Sequence, residues 1–357
     1  MKPPASRRWL AATLVALAAQ WTLVGTARTH SPSGLVEDVE GAFARIEVRG
    51  EHLTARANGL IPEPSYRATI GNGFGFLNHF QGIQRLAGNY VVLSGSNPRA
   101  AVAELFIVRL GDTGHVVARI AVDQHMWHAG GLSTAETILA VPVHVRAPRN
   151  AKVVFYDVSD PTNPRRLPVE IARPGRKASA VALTRLSNGH FLAAVLSALD
   201  GLPRRLDFYL SRQPMLEAGF HPAPAAWHVS EVRARPGQAR TFSYFQGINF
   251  IRQADGRLFL VGFHNSFLAP SFLPGRDYAD LYEVAFPAGT VDATSPVLAH
   301  PEVIKVANRH LRCANGYCNL DAAAGLFVDP DTRSLSVYAT PGWLHGDTVK
   351  VTVYKSP

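Results

Sequence analysis

Two pentapeptides, His79-Phe-Gln-Gly-Ile83 and Tyr244-Phe-Gln-Gly-Ile248, are near copies of each other. Each leads through a turn into a fully apolar segment, Tyr90-Val-Val-Leu-Ser-Gly-Ser96 after the first and Arg257-Leu-Phe-Leu-Val-Gly-Phe263 after the second. Three looser copies share that shape: His128-Ala-Gly-Gly-Leu132 with Ile138–Val143, Ser179-Ala-Val-Ala-Leu183 with His190–Val195, and Ala322-Ala-Ala-Gly-Leu326 with Leu335–Tyr338. Self-similarity at a period of tens of residues is the mark of a repeat architecture. Ile83, Leu132, Leu183, Ile248 and Leu326 align at spacings of 49, 51, 65 and 78 residues. The first two spacings suit a four-stranded unit. Pro-rich stretches at 214–226 and 269–275 supply the insertions that the longer two need.

A small-residue strand, a tight turn and then a wholly apolar strand is the pattern of a β-propeller blade. The innermost strand is crowded at the axis, where Gly and Ala fit, and the second is buried between neighbouring blades. The expected fold is therefore all-β: one propeller domain over residues 43–357, of five blades. The last repeat supplies only three strands. Ala44–Arg49 near the N-terminus is the expected fourth, closing the ring and covering an exposed edge. A six-bladed ring, with a degenerate blade inside 205–243, is the alternative. Hydrophobic residues make up 47% of the 357, enough for a large core, so whole-chain disorder is excluded.

Phe155-Tyr-Asp-Val-Ser-Asp-Pro-Thr-Asn-Pro-Arg165 resembles the repeat of the bacterial LVIVD and YVTN-type propellers, in which a strand ends in Asp-Val-Ser-Asp-Pro before turning to the outer strand. The resemblance covers about 30 residues of one blade. It implies an exported propeller and no particular chemistry, because propellers host many functions.

The N-terminus reads as a secretory signal over residues 1–27: Arg7 and Arg8, the apolar stretch Trp9–Val24, then small residues in Gly25-Thr26-Ala27. Residues 28–42 form an extension. No second apolar span follows, so the expected location is periplasmic or secreted. In an oxidising compartment Cys313 and Cys318, enclosing Ala-Asn-Gly-Tyr, are expected to form a disulfide. The formal charge is +9, spread without a basic stripe. That argues against nucleic acid as a partner, whereas attraction to acidic glycans or anionic surfaces fits it.

Propeller ligands sit over the axis, on the face collecting the loops that enter each innermost strand and the loops between second and third strands. Those loops hold an excess of histidine, and three functions compete for them. In the first, the face binds a small molecule, a saccharide or a protein, through Gln81, Trp127, Lys177, Gln246, His264, Asn265, Asn319, Asp321 and His345. In the second, a lyase- or isomerase-type enzyme uses His79, His128 and Tyr244 as acid and base, and a divalent transition metal on His79, His128 and His264 is one version of it. That enzyme predicts these three histidines within about 5 Å of one another. A glycoside hydrolase of the arabinanase type, which needs two carboxylates, is disfavoured because only Asp321 lies beside an innermost strand start. In the third, the protein is an envelope interaction module with an apolar patch and no pocket. The Gly-rich run Gly71-Asn-Gly-Phe-Gly75 lacks the Lys-Ser/Thr of a phosphate loop.

Overall fold

In the computed structural model, the described residues are 35–61, 66, 78–98, 100–145, 150–197, 204–265, 276–287, 291, 296–314 and 316–357. The secretory signal expected at 1–27 and the glycine run at 71–75 lie outside them. Nearly all regular structure is β, and the described residues form five four-stranded antiparallel units.

Unit 1 is His79–Arg85, Tyr90–Asn97, Val102–Arg109 and His115–Asp123. Unit 2 opens with a broken innermost strand, His128–Ala129 and Ser133–Ala135, then Ile138–Val145, Asn150–Asp157 and Arg165–Pro174. Unit 3 is Ala180–Arg185, Phe191–Ser197, Arg205–Ser211 and an interrupted outer strand, Phe220–Pro222 with Trp227–His228. Unit 4 is Gly247–Gln253, Leu258–Asn265, Asp277–Ala285 and Glu302–Leu311. Unit 5 is Ala323–Val328, Leu335–Thr340 and Thr348–Lys355, completed by Glu51–Arg56 from the N-terminal side.

The second and third strands are mostly apolar because both their faces are buried. In unit 3, Leu192, Ala194 and Leu196 pack toward unit 4, while Phe191, Ala193 and Val195 pack toward unit 2. Five separate cores result, one between each consecutive pair of units, and the core of Val91, Leu93, Phe106, Val349 and Val351 joins unit 5 back to unit 1. That cyclic closure makes the fold a β-propeller. Residues 205–243 hold no sixth unit. They form the third strand and broken outer strand of unit 3, then Arg233–Ala234, which pairs in parallel with the outer strand of unit 4.

The closing strand differs from the sequence expectation. Ala44 and Arg45 belong to helix α1, Val39–Arg45, capped by the Asp38 side chain accepting from Gly41 N at 3.0 Å. Strand pairing with Thr348–Lys355 begins at Glu51. Ile46, read as part of that strand, instead faces the core between units 4 and 5 with Val36, Val39, Ala42 and Phe43, and Val48 is exposed. Leu35–Val36 pairs in parallel with the innermost strand of unit 4. The folded chain thus reaches back into the expected extension, to Leu35.

At the axis the innermost strands approach closely. A Cβ on Gly247 would lie 2.1 Å from the Ala324 carbonyl oxygen, and one on Gly325 would lie 2.0 Å from that of Ile83. Only glycine permits such spacing. One buried polar network links all five units there. Asn249 Nδ2 donates toward Gln84 Oε1 at 3.2 Å and Ser133 Oγ at 3.3 Å, and Asn249 Oδ1 accepts from Leu326 N at 2.9 Å. Gln84 Nε2 donates to Leu326 O at 2.6 Å, and Leu183 N donates to Ser133 Oγ at 3.0 Å.

Candidate functional site

The five innermost strands hold the same place in successive antiparallel meanders, so their N-terminal ends share one face. The ends of the second strands and the starts of the third share it too. This brings His79, His128, Lys177, Tyr244 and Asp321, entering the innermost strands, to the face that also holds His144, Arg204, His264, Asp277 and His345. Of the other loop residues on the expected face, Arg99, Arg146 and Asp200 lie outside the described residues.

Imidazoles gather at units 1 and 2. The His79 and His128 ring centroids are 5.6 Å apart, and those of His128 and His144 are 4.2 Å apart. His128 and His144 are direct cross-strand partners, so the unit 2 hairpin register puts them side by side. Trp127 flanks His128 at 5.5 Å. His144 Nδ1 is 3.1 Å from Ala178 O, whereas His128 Nδ1 is buried without a hydrogen-bond partner. Burial, reinforced by the charges of His144, His79 and Lys177, holds His128 well below the usual histidine pKa. Its ring is therefore neutral at pH 7.

Tyr244 sits beneath Arg204, whose guanidinium carbon is 3.9 Å from the ring centroid, and Arg204 donates to Phe242 O at 3.0 Å. This is cation–π geometry. Phe245, the next residue, is buried in the core between units 3 and 4. Gln81 is buried, and Gln246 presents its carbonyl to Gly131 at the axis.

A second cluster lies across units 4 and 5. His264 ends the second strand of unit 4; its Nδ1 is 3.0 Å from Asn265 O, and its Nε2 is 3.4 Å from Asp280 Oδ2, an ion-pair distance outside hydrogen-bond geometry. Its ring neighbours are Phe245 and Tyr278, the latter stacked at 5.5 Å. Asp280 is fully buried. Lys305 Nζ at 2.8 Å, Asn308 Nδ2 at 2.6 Å and Tyr282 OH at 3.1 Å all donate to it. Burial alone would raise this carboxyl, but His264 and Lys305 hold it below the usual carboxylate range.

Asp277 and Asp321 behave in the opposite way. Asp277 Oδ1 accepts from Leu320 N at 2.9 Å, and burial raises the carboxyl to about 6. Asp321 follows Leu320; burial, with the charge of Asp277 added, raises it to about 7 against the opposing influence of His264. Asn319 shapes the turn that holds them, its side chain accepting from Asp321 N at 2.9 Å and its carbonyl from Ala322 N at 2.9 Å. The Cys313–Cys318 disulfide closes the loop just before this turn, as expected from the sequence. His345 packs against that loop beside Gly316; its Nε2 is buried without a partner, and burial lowers its pKa.

His79 and His128 are thus ring neighbours, while His264 belongs to the unit 4 cluster. Among the described residues, no three His, Cys, Asp or Glu side chains are grouped so as to hold a metal ion, and the set His79, His128 and His264 is no exception. Asp277, Tyr278, Asp280, Lys305 and Asn308 escaped the sequence reading. Their only signal was a short polar run, Asp277-Tyr-Ala-Asp280, after a Pro-rich loop.

No family model and no curated protein sequence matches this chain. Solved structures match it at low identity. A thermostable family-43 glycoside hydrolase is 10% identical over 80% of this chain and 92% of its own, with a TM-score of 0.45. The GH43_1 enzyme from Xanthomonas citri complexed with xylose is 9% identical over 88% and 91%, with a TM-score of 0.45. An α-L-arabinanase from Penicillium chrysogenum complexed with arabinobiose is 12% identical over 90% and 97%, with a TM-score of 0.37.

Proposed function

We propose that this is an exported propeller that binds a saccharide over its axial face. The observation carrying the reading is that aromatic, imidazole, ammonium and carboxyl groups from all five units lie on the one face where the innermost strands begin. Sugar sites pair aromatic surface with a few fixed polar groups. Trp127 beside His128, and the Asn319–Asp321 turn, supply those elements. The disulfide supports an oxidising compartment. Among the described residues no helix is long and apolar enough to cross a membrane. Among the described residues the exposed large apolar side chains, Val48, Met215 and Val297, lie on three different segments, which does not favour a docking face built from them. Screening the mature protein against a glycan panel tests the reading. Trp127→Ala is expected to weaken the best hit by about tenfold, the scale of one lost aromatic contact. A protein that retains no saccharide, or a variant with unchanged affinity, overturns it.

One observation favours a catalytic version. Asp277 and Asp321 are neighbouring carboxyls that titrate near neutrality, the range in which a carboxyl can hold and release a proton at working pH. In this version Asp321 is the general acid toward a bound sugar's leaving oxygen, and Asp277 keeps it protonated. Asp321→Asn then abolishes turnover of the bound glycan while leaving its affinity in place. Unchanged turnover in that variant removes the catalytic reading.

A further inference from the structure

At the His264 cluster, unit 4 carries a cavity of about 480 Å³. Its size falls in the range of small-molecule sites. One wall is the turn 237–239, and the other residues around it are His264, Tyr278, Lys305 and Asn308. We propose that this cavity is a subsite for an acidic sugar, one that carries a carboxylate, as a uronic acid does. The inference rests on the saccharide-binding reading and names which sugar chemistry this part of the protein takes.

Asp280 lies beneath the cavity, fully buried, and both its oxygens are occupied: Oδ1 by Asn308, Oδ2 by Lys305, Tyr282 and the nearby His264. Its charge is spent inward. The donors around it are only partly used. Lys305 Nζ has three hydrogens, and its described partners are Asp280 at 2.8 Å and Thr241 Oγ1 at 3.2 Å, which leaves one. Asn308 gives one amide hydrogen to Asp280 and keeps the second, together with its carbonyl oxygen. The cavity therefore offers an ammonium hydrogen and an amide hydrogen whose positions are fixed by the bonds to Asp280 and which can donate to a ligand oxygen.

The wall is preformed. Gly237 adopts φ +82, which lets the chain turn, and Gln238 N donates back to Arg235 O at 3.0 Å. Arg235 N bonds to Lys305 O at 3.0 Å, and Tyr282 OH, sharing its one hydrogen between Asp280 and Thr241, lies 2.9 Å from Thr241 O, so both ends of the turn are tied to unit 4. Opposite stands the Tyr278 ring, stacked on His264 and 5.4 Å from His310, a flat surface of the kind on which a pyranose face packs.

Charge selects among sugars. Arg276 precedes the third strand beside Tyr278, and the charges of Arg276 and Arg312 both bear on His310, so this rim is electropositive. Of the carboxyls beside it, Asp280 is paired with Lys305, while Asp277, raised by burial only to about 6, keeps most of its charge at pH 7, so the preference for an anion rests on Lys305, Asn308 and Arg276. An anionic ring gains here what a neutral one does not.

The test is titration calorimetry of the full mature protein with trigalacturonate, its methyl ester and neutral galactotriose, at low and high ionic strength. Trigalacturonate is expected to bind at least about tenfold more tightly than either uncharged sugar, with the advantage shrinking in salt. Asn308→Ala and Arg276→Ala are expected to remove that advantage. Arg276 is exposed, whereas Asn308→Ala removes a donor from the buried Asp280, so circular dichroism checks the fold of both variants and the Arg276→Ala result decides if Asn308→Ala unfolds. Equal affinity for the three sugars, or unchanged selectivity in both variants, overturns the subsite. Loss of binding in Trp127→Ala with full selectivity for the acid kept in Asn308→Ala also overturns it, while leaving the axial reading standing. Failure to bind any saccharide overturns both.

Discussion

Asp277 and Asp321 are the residues whose environment departs most from what their side chains prefer. A carboxyl whose folded pKa lies above its unfolded value binds more protons in the folded state over the interval between the two. Stability then falls as pH rises through that interval. For this pair the interval runs from the ordinary carboxylate value of 3.8 up to about 6 for Asp277 and about 7 for Asp321. Thermal scans from pH 4.5 to 8.5 are therefore expected to show a component that is most stabilising at the acid end and absent above about pH 7.5. Asp277→Asn keeps an oxygen for Leu320 N and cannot ionise. It is expected to flatten the fall and raise Tm at pH 8. A variant whose pH profile overlays that of the unmodified protein would rule the account out. The sequence placed Asp321 on this face by its position before a repeat, but it could not show Asp277 beside it. The two are 44 positions apart in the chain and meet only because successive units lie side by side.

The innermost strands show what the repeat pattern encodes. Their Gly-Ile and Gly-Leu steps recur because backbone meets backbone at the axis. The second strands are apolar without alternation because each has a core on both faces. Gly247→Ala is expected to destabilise the protein by about 1–3 kcal/mol, the usual cost of overpacking, because its Cβ would meet the Ala324 carbonyl with no flexible side chain to yield. Chemical denaturation reads this directly, and a midpoint within error of the parent would show that the strands can part. The near-copy units 1 and 4 share a further device that the sequence did not advertise. Glu104 on the third strand of unit 1 is buried and bonded by Tyr66 OH at 2.9 Å and Arg119 Nε at 2.6 Å. Asp280 on the third strand of unit 4 has Tyr282 and Lys305 in those roles. Each acid stands opposite a glycine of the second strand, Gly95 or Gly262, so the buried charges follow the repeat. Different residue types fill equivalent places, which hid the correspondence.

For the molecule as a whole, closure is the decisive contact. Glu51–Arg56 supplies the outer strand of unit 5, and α1 adds Val39 and Phe43 to the core between units 4 and 5. A chain beginning at Ala57 would expose the edge of Thr348–Lys355 and open that core. Unpaired edges template aggregation. This truncation is expected to elute as soluble aggregate or to lose its cooperative thermal transition, whereas a chain beginning at Ser33 is expected to be monodisperse. A well-behaved Ala57 chain would show that the ring needs no N-terminal strand.

By itself the sequence determined the all-β class, the repeat, the crowded axis, the need for an N-terminal closing strand and the Cys313–Cys318 bond. Each follows from local composition or from spacing along the chain, which periodic burial writes directly into residue type. Only the tertiary structure decided which segment closes the ring, since Phe43 and Ile46 suit a helix packed on a core as well as a strand. It alone paired His128 with His144, set Tyr244 under Arg204, and gathered His264, Asp277, Asp280 and Asp321 from two units. Such groupings depend on hairpin register and on the packing of neighbouring units. A shift of one residue would turn each of these side chains to the opposite face, and nothing in the local sequence records that choice.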